Sequence, residues 1–418
     1  MPSNWKVFTY RAFIYLVVAT TLSACGGGSS SNSAEPIDTN VFQTKLALGE
    51  NLFFDENLSF NRTQSCSTCH NPDRAFVDDR TDNNGETLAT SLGDNEFSLG
   101  DRNAPTLAYA AEAPSFQYGM HTRFNSDQND YVGYLGGQFS DGRSINLQAQ
   151  AREPMLSDIE MGMLEPEAVI ERVLENPDYE AAFITLFGDT IFNDTELAFD
   201  AVTESIAEFE KSPEFSSFDS KYDRSLTGDY ILNPLSKAAS GQAFFFSPDK
   251  TNCATCHQLN ANNDRSETFT SYEYHNIGVP VNADTRSENS VDANFVDEGL
   301  GANANITTDA SSEIGKHKVP TLRNIALTAP YMHNGIFKEL GTVLKFYDHY
   351  LAGSTNTINP ETGLAWGDAE AADTIAFTEL EEGELRSDEE IEDLICFLRM
   401  LTDERYEHLI NDDLDCGL

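Results

Sequence analysis

Phe199, Val202, Ile206 and Phe209 recur at intervals of three and four residues, the spacing that lines apolar side chains along one side of a helix. The same period returns in Ile391, Leu394, Ile395 and Leu398, opened by Ser387 and Glu390 in a capping-box arrangement. Leu340, Val343, Leu344, Tyr347 and Leu351 predict a third amphipathic helix, with His349 on its opposite side. Two further segments echo each other, Leu48-Gly49-Glu50-Asn51-Leu52-Phe53-Phe54 and Ser240-Gly241-Gln242-Ala243-Phe244-Phe245-Phe246. In each a Gly precedes an aromatic cluster, and Asn233 with Pro234 offers a helix start for the second. Runs with the two-residue alternation of strands are scarce. Segments 78–101 and 281–313, rich in Asp, Asn, Ser and Gly, read as long surface loops. Pro213 and the polar stretch to Gly228 separate two similar halves. The pattern predicts a mostly α protein of two domains related by duplication, 41–220 and 221–418.

Each half carries one Cys-x-x-Cys-His, Cys66-Ser67-Thr68-Cys69-His70 and Cys253-Ala254-Thr255-Cys256-His257. Cys-x-x-Cys alone could be a redox pair or half a zinc site. The trailing His, present twice, points instead to covalent haem: the thiols become thioethers and the His becomes an axial iron ligand. The halves are then cytochrome c-like haem domains, with two haems c facing each other across the interface. The glycine–aromatic segments become short helices that pack rings on the haems.

The start of the chain reads as an export signal. Lys6 and Arg11 precede an apolar run from Ala12 to Ala19 that is too short to span a bilayer comfortably. Leu22-Ser23-Ala24-Cys25 resembles the bacterial lipobox, which implies removal of residues 1–24 and lipidation of Cys25. Ordinary cleavage, with Cys25 a bystander, is the alternative. Gly26 to Ser33 begins a flexible tether that runs to about residue 40, and Gly26 rather than Asp after the Cys favours the outer membrane. The expected location is outside the cytoplasm, lipid-anchored, where c-type haem is attached.

Charge changes the picture of partners. Asp and Glu number 69 against 26 Lys and Arg, a net charge of −43 that excludes a nucleic-acid role on electrostatic grounds. Such a surface suits a basic protein partner, or a salty habitat. With 418 residues, 40% of them hydrophobic, the chain can bury real cores. Once Cys25 and the four haem cysteines are assigned, Cys396 and Cys416 remain. They could pair in an oxidising compartment, or stay as a buried thiol and a loose one.

Further motifs accompany the haem sites: Arg102-Asn103-Ala104-Pro105-Thr106, Asp141-Gly142-Arg143, the set Gln150, Pro154, Glu160 and Met161, Val319-Pro320-Thr321-Leu322-Arg323-Asn324, and Leu327 to Gly335 with Pro330-Tyr331-Met332-His333 inside it. From about Leu46 to Leu401 the chain resembles the bacterial dihaem cytochrome c peroxidase superfamily, and within it the MauG-like branch. The peroxidase members carry a displaceable distal His soon after the first haem motif. Here no His occurs between His70 and His121, so the first iron is expected to be five-coordinate and open to peroxide. The resemblance places Glu160 there as the acid–base group that moves a proton between peroxide oxygens, with Gln150 and Pro154 lining the pocket.

For the second iron the resemblance implies a sixth ligand fourteen residues beyond His333, at Tyr347, where cytochrome c peroxidases have Met and the MauG-like branch has Tyr. Met332 and His349 are the rivals. An anionic phenolate favours ferric and higher states, whereas a thioether favours ferrous iron. The resemblance also implies a Ca²⁺ ion held by the Asn103 side chain and the carbonyls of Thr328 and Pro330. One departure stands out. The family's Phe-Trp-Asp-Gly-Arg reads Phe139-Ser140-Asp141-Gly142-Arg143, and Ser140 cannot carry the hole that the inter-haem Trp carries. Charge must pass by another route, such as a Tyr; Trp366, in a Gly/Asp-rich loop, is expected to be structural.

Three functions follow as expectations. The first is a MauG-like enzyme that uses hydrogen peroxide and high-valent haem iron to oxidise an aromatic residue of a partner protein. The second is a cytochrome c peroxidase fed electrons by a small redox protein, and the third a dihaem electron carrier without peroxide chemistry. The lipobox reading is tested by Cys25→Ser, which is expected to move the protein from the membrane to the soluble fraction with both haems attached. Wild-type protein that is already soluble and begins at another residue contradicts it.

Overall fold

The computed structural model describes residues 42–418, except 96, 124–125, 260–266, 293 and 412. The signal segment, Cys25 and the tether lie outside these residues. In the first half the helices are α1 (Lys45–Phe53), the single turn α2 (Cys66–Cys69), α3 (Leu147–Leu156), α4 (Pro166–Leu174), α5 (Pro177–Phe187) and α6 (Thr195–Glu210). In the second they are α7 (Lys221–Thr227), α8 (Lys237–Phe245), the single turn α9 (Cys253–Cys256), α10 (Ala283–Glu288), α11 (Leu340–Asp348), α12 (Phe377–Leu380) and α13 (Asp388–Arg399). Strands make only two small antiparallel pairs, β1 (Gln117–His121) with β2 (Tyr131–Leu135), and β3 (Tyr274–His275) with β4 (His317–Lys318). Among the described residues, no helix is long and apolar enough to cross a membrane.

The periodic stretches are helices because their apolar faces have something to bury against. Phe199, Val202, Ile206 and Phe209 of α6 join Leu48, Leu52 and Phe53 of α1 in one core. Ile391, Leu394 and Leu398 of α13 join Ala238 and Phe245 of α8 in another. Burying each such aromatic or aliphatic side chain contributes roughly 1.5–3 kcal/mol. Both helix pairs cross where a glycine removes the side chain. A Cβ on Gly49 would lie 1.8 Å from the Ser205 carbonyl oxygen, and one on Gly241 would lie 1.8 Å from that of Asp393. The glycines thus set the helix crossings, and the aromatics after them fill the space beside. Phe53 packs edge-on to Phe209 and Phe215, and Phe245 packs against Phe269 and Phe397.

Three expectations change. α8 starts at Ser236, whose hydroxyl accepts from the Ala239 N–H, while Asn233 closes a turn before it. Segment 78–101 is not a surface loop throughout: Asp78, Thr90 and Asp94 are buried, and Asp94 is fixed by Ser59, Thr63 and the Asn61 N–H. Segment 281–313 contains α10 and buries Asp297 and Leu300, because Arg102 pulls Asp297 inward as an ion-pair partner. Polar composition hid these contacts, since Asp and Asn serve a buried network as readily as a solvated turn. Ser387 and Glu390 form the expected capping box on α13. Cys396 and Cys416 are joined in a disulfide, which decides between the two alternatives for them.

Gly241→Ala is expected to destabilise the holoprotein by about 2–3 kcal/mol or more, because backbone rather than a side-chain tip must yield. Gly341→Ala, whose Cβ would meet nothing nearer than Ile395 at 3.9 Å, is expected to be neutral or slightly stabilising. Denaturant unfolding of both variants checks the pair; equal effects would contradict the crossing-point argument.

Candidate active site

Both Cys-x-x-Cys-His motifs open onto one internal cavity of about 730 Å³. The two ends are built alike. α2 and α9 are single turns that place both thiols on one side, and the His that follows caps the turn. His70 Nδ1 pairs with the Phe76 carbonyl at 3.1 Å, and His257 Nδ1 with the Phe269 carbonyl at 3.0 Å. A carbonyl only accepts, so each ring carries its proton on Nδ1 and presents Nε2 as a lone pair, the form an iron ligand requires. Burial keeps both rings neutral by lowering their proton affinity, His257 to about 4. Phe76 and Phe269 both adopt left-handed backbone, φ 55° and 54°, a conformation costly for a bulky residue that turns each carbonyl onto its His. Cys66, Cys69, Cys253 and Cys256 form no disulfide and line the same cavity. Thiol pair, oriented imidazole and enclosed lining fit a covalently attached haem at each end.

At the first end the cavity wall includes Gln150, Pro154 and Glu160, so the structure brings the three expected residues together. Gln150 and Pro154 belong to α3, and Glu160 follows in the turn closed by the Met161 N–H to the Pro154 carbonyl. Gln150 Oε1 is buried with no partner among the described residues, an acceptor available to a donor in the cavity. Burial raises the proton affinity of Glu160, moderated by a hydrogen bond from Ser157 and by Arg143. Its carboxylate also perturbs Cys69, which places it beside the first motif. A cavity-lining carboxyl whose proton affinity is raised is suited to taking and returning a proton.

Sequence reasoning missed Glu210. It ends α6, is 3% exposed, leaves Oε2 without a partner among the described residues and is pushed up to about 8 by burial. It lines the cavity near Cys66. Its spacing of four from Ile206 was the available signal, since it puts a carboxyl on the apolar face.

At the second end all of Leu340, Val343, Leu344, Tyr347 and Leu351 line the cavity. Tyr347 lies close enough to Cys256 and Cys253 to be perturbed by both, and its proton affinity is raised chiefly by burial. His349 is not part of the lining and instead packs against Phe346, Tyr350 and Trp366. Met332 does line the cavity, while packing among the apolar cluster that holds Phe337 and Phe346. Trp366 donates its N–H to the Asn356 carbonyl and stacks edge-on against Phe337, a structural placement as expected.

Asn103, Ser140, Thr328 and Pro330 line the same cavity. Asn103 gives its amide N–H to the Ala89 carbonyl at 3.0 Å, which leaves Oδ1 free. Neither the Thr328 nor the Pro330 carbonyl accepts a hydrogen bond among the described residues. Three unsatisfied oxygens fit a hard cation. Arg102 beside them bonds both Asp141, at 2.5 Å, and Asp297, at 2.6 Å, tying the two halves together. Asp297, His317 and His333 also converge, but the two rings stack 3.8 Å apart at 14°. Nearly parallel rings cannot both aim an in-plane lone pair at one ion.

The profile of the di-haem cytochrome c peroxidase family matches residues 43–230. The methylamine utilization protein MauG of Paracoccus denitrificans is 45% identical over 385 residues, 92% of this chain and 94% of that protein. The chain belongs to the dihaem cytochrome c peroxidase family, in its MauG-like branch. The cytochrome c peroxidase Ccp of Escherichia coli is 30% identical over 310 residues, 74% of this chain and 54% of that protein. The crystal structure of the diheme peroxidase BthA from Burkholderia thailandensis superposes with a TM-score of 0.75 at 28% identity, covering 90% of this chain and 89% of that one. Family membership makes haem c the cofactor for which the cysteine and histidine pairs are arranged.

Proposed function

We propose that the protein is a MauG-like, peroxide-dependent dihaem oxidoreductase that draws electrons from an aromatic residue of a partner protein. The observation that carries this reading is the asymmetry of the cavity. One end pairs His70 with a proton-handling carboxyl and a free acceptor, Glu160 and Gln150; the other pairs His257 with a cavity-facing phenol, Tyr347. When bound, haem contributes the redox-active iron at which hydrogen peroxide is reduced to water. Glu160 takes the proton of one peroxide oxygen and returns it to the leaving one, and Gln150 Oε1 accepts a hydrogen bond that orients the oxidant. Tyr347 is the residue that would hold the iron at the His257 end, where an oxygen donor would favour the oxidised state.

The finer reading extends this frame. The matched glycine crossings and the matched left-handed Phe carbonyls support two haem domains, 41–220 and 221–418, related by duplication, with the haems facing across the shared cavity. Asn103 Oδ1 and the Thr328 and Pro330 carbonyls are the oxygens that would hold a Ca²⁺ ion. The lipobox at Leu22–Cys25 anchors the exported protein to the outer membrane, and the charge of −43 selects a basic partner. A cytochrome c peroxidase fed by a small redox protein is the second reading. Met332, a thioether on the same cavity wall, is what favours it.

The resting ferric protein is expected to give one high-spin and one low-spin EPR signal without prior reduction. Two low-spin signals would mean a hidden ligand on the His70 iron and would support an electron carrier. Glu160→Gln is expected to keep both haems and slow the reaction with peroxide by on the order of a hundredfold or more.

Tyr347→Phe is expected to convert the second haem to a second high-spin signal, and Tyr347→Met to raise its reduction potential and ease electron entry from small donors. Spectra of Tyr347→Phe identical to wild type would transfer the ligand role to Met332 and with it the lead to the peroxidase reading.

A further inference from the structure

We propose that Tyr109 is the oxidisable residue through which the two haem sites exchange electrons, a role that rests on the peroxide chemistry above and that Ser140 cannot fill. Tyr109 lines the cavity that both haem motifs share and is 2% exposed. Its surroundings connect it to both histidine anchors. On one side the Leu107 N–H, two residues away, bonds the same Phe76 carbonyl that holds His70. The Tyr109 N–H bonds the Phe215 carbonyl, and Phe215 stacks on Phe76 with centroids 4.1 Å apart. On the other side the Arg323 guanidinium lies 5.3 Å from the Tyr109 ring and 5.5 Å from the ring of Phe269, whose carbonyl holds His257. Tyr109 therefore stands at the seam, tied through Leu107 and Phe215 to the anchor of His70 and through the Arg323 guanidinium to that of His257.

Oxidising a phenol at neutral pH requires a base for its proton, and here the geometry is specific. The Phe218 N–H donates to Tyr109 Oη at 3.1 Å, so the phenolic hydrogen is left for another acceptor. That acceptor is Asp403 Oδ1, while Asp403 Oδ2 receives the Asn324 amide at 2.9 Å. Both Asp403 oxygens thus accept, as an ionised carboxylate does, and the residue is 1% exposed. The other cavity-lining tyrosines lack such a partner among the described residues. Tyr272 donates to the Thr268 hydroxyl and Tyr331 to the Ile325 carbonyl, neither of which is basic enough to take up a proton at neutral pH, and Tyr347 is assigned to iron.

The step balances within the pair. After peroxide has been reduced at the His70 site, Tyr109 gives that site one electron and its O–H bond breaks, the proton forming an O–H bond on Asp403. A neutral phenoxyl radical and a neutral carboxylic acid result. An electron from the His257 site then reduces the radical, and the proton returns from Asp403 to Tyr109. One electron has crossed the molecule and no proton has left the buried pair. An intermediate stop is an advantage because tunnelling falls exponentially with distance.

The test compares holoprotein of wild type, Tyr109→Phe and Asp403→Asn after rapid mixing with hydrogen peroxide, following each haem's absorbance and freeze-quenched EPR. In Tyr109→Phe the first reaction at the His70 site is expected to be unchanged and the subsequent change at the His257 site slowed at least about tenfold. Asp403→Asn is expected to slow the same phase and to alter its solvent isotope effect, a readout that a purely structural role would leave unmoved. A His257-site phase at the wild-type rate in Tyr109→Phe overturns the relay and leaves the peroxide reading intact. A wild-type protein whose His70 site does not react with peroxide overturns both.

Discussion

The histidine of each haem motif is held by a backbone carbonyl, and much of the structure follows from that contact. A backbone carbonyl in hydrogen-bond reach of Nδ1 fixes tautomer and ring direction at once, leaving Nε2 for iron. To aim that carbonyl, Phe76 and Phe269 adopt a backbone conformation that bulky side chains rarely take, at φ 55° and 54°. Packing makes the conformation tenable. Phe76 is clamped by stacking on Phe215, and Phe269 by edge contacts with Tyr222 and Phe245 and by the Arg323 guanidinium.

Arg323 carries this constraint to the first half, since its guanidinium also lies over the rings of Tyr109 and Phe218. It is fully buried and paired with Asp223, and it also donates to the Glu267 carbonyl, so its charge is matched inside the protein. Removing one member of such a pair would strand a charge without water, which is far costlier than losing an exposed bridge. Arg102 acts similarly on the cavity wall, joining Asp141 to Asp297 across the sequence. The motifs that mark the family are thus a mixture: some residues face the cavity, and others hold its walls in place.

The two ends of the cavity share a construction and differ in chemistry. Their glycine-crossed helix pairs and histidine anchors correspond closely, while the side chains opposite the histidines do not. Near His70 stand Glu160, Gln150 and the unpartnered Glu210, all able to accept hydrogen bonds or protons. Near His257 stand Tyr347 and the apolar face of α11. Proton handling is concentrated at one end and the oxygen donor at the other, a division suited to reducing peroxide at one site and keeping oxidising power at a second.

Much of this was written in the sequence. The haem motifs name their own chemistry, because two thiols and a histidine at that spacing fit one porphyrin edge and one iron. Helical period placed α6, α11 and α13, and set Tyr347 apart from His349, since a residue two places along a helix points to another side. What the sequence by itself left open depended on contacts between distant segments. No local pattern joins Cys396 to Cys416, draws Asp297 from a polar loop to Arg102, or sets Asp403 against Tyr109. Those pairings exist because folding buries polar groups together and each must then find its partner, and only the tertiary structure decides which partner is near.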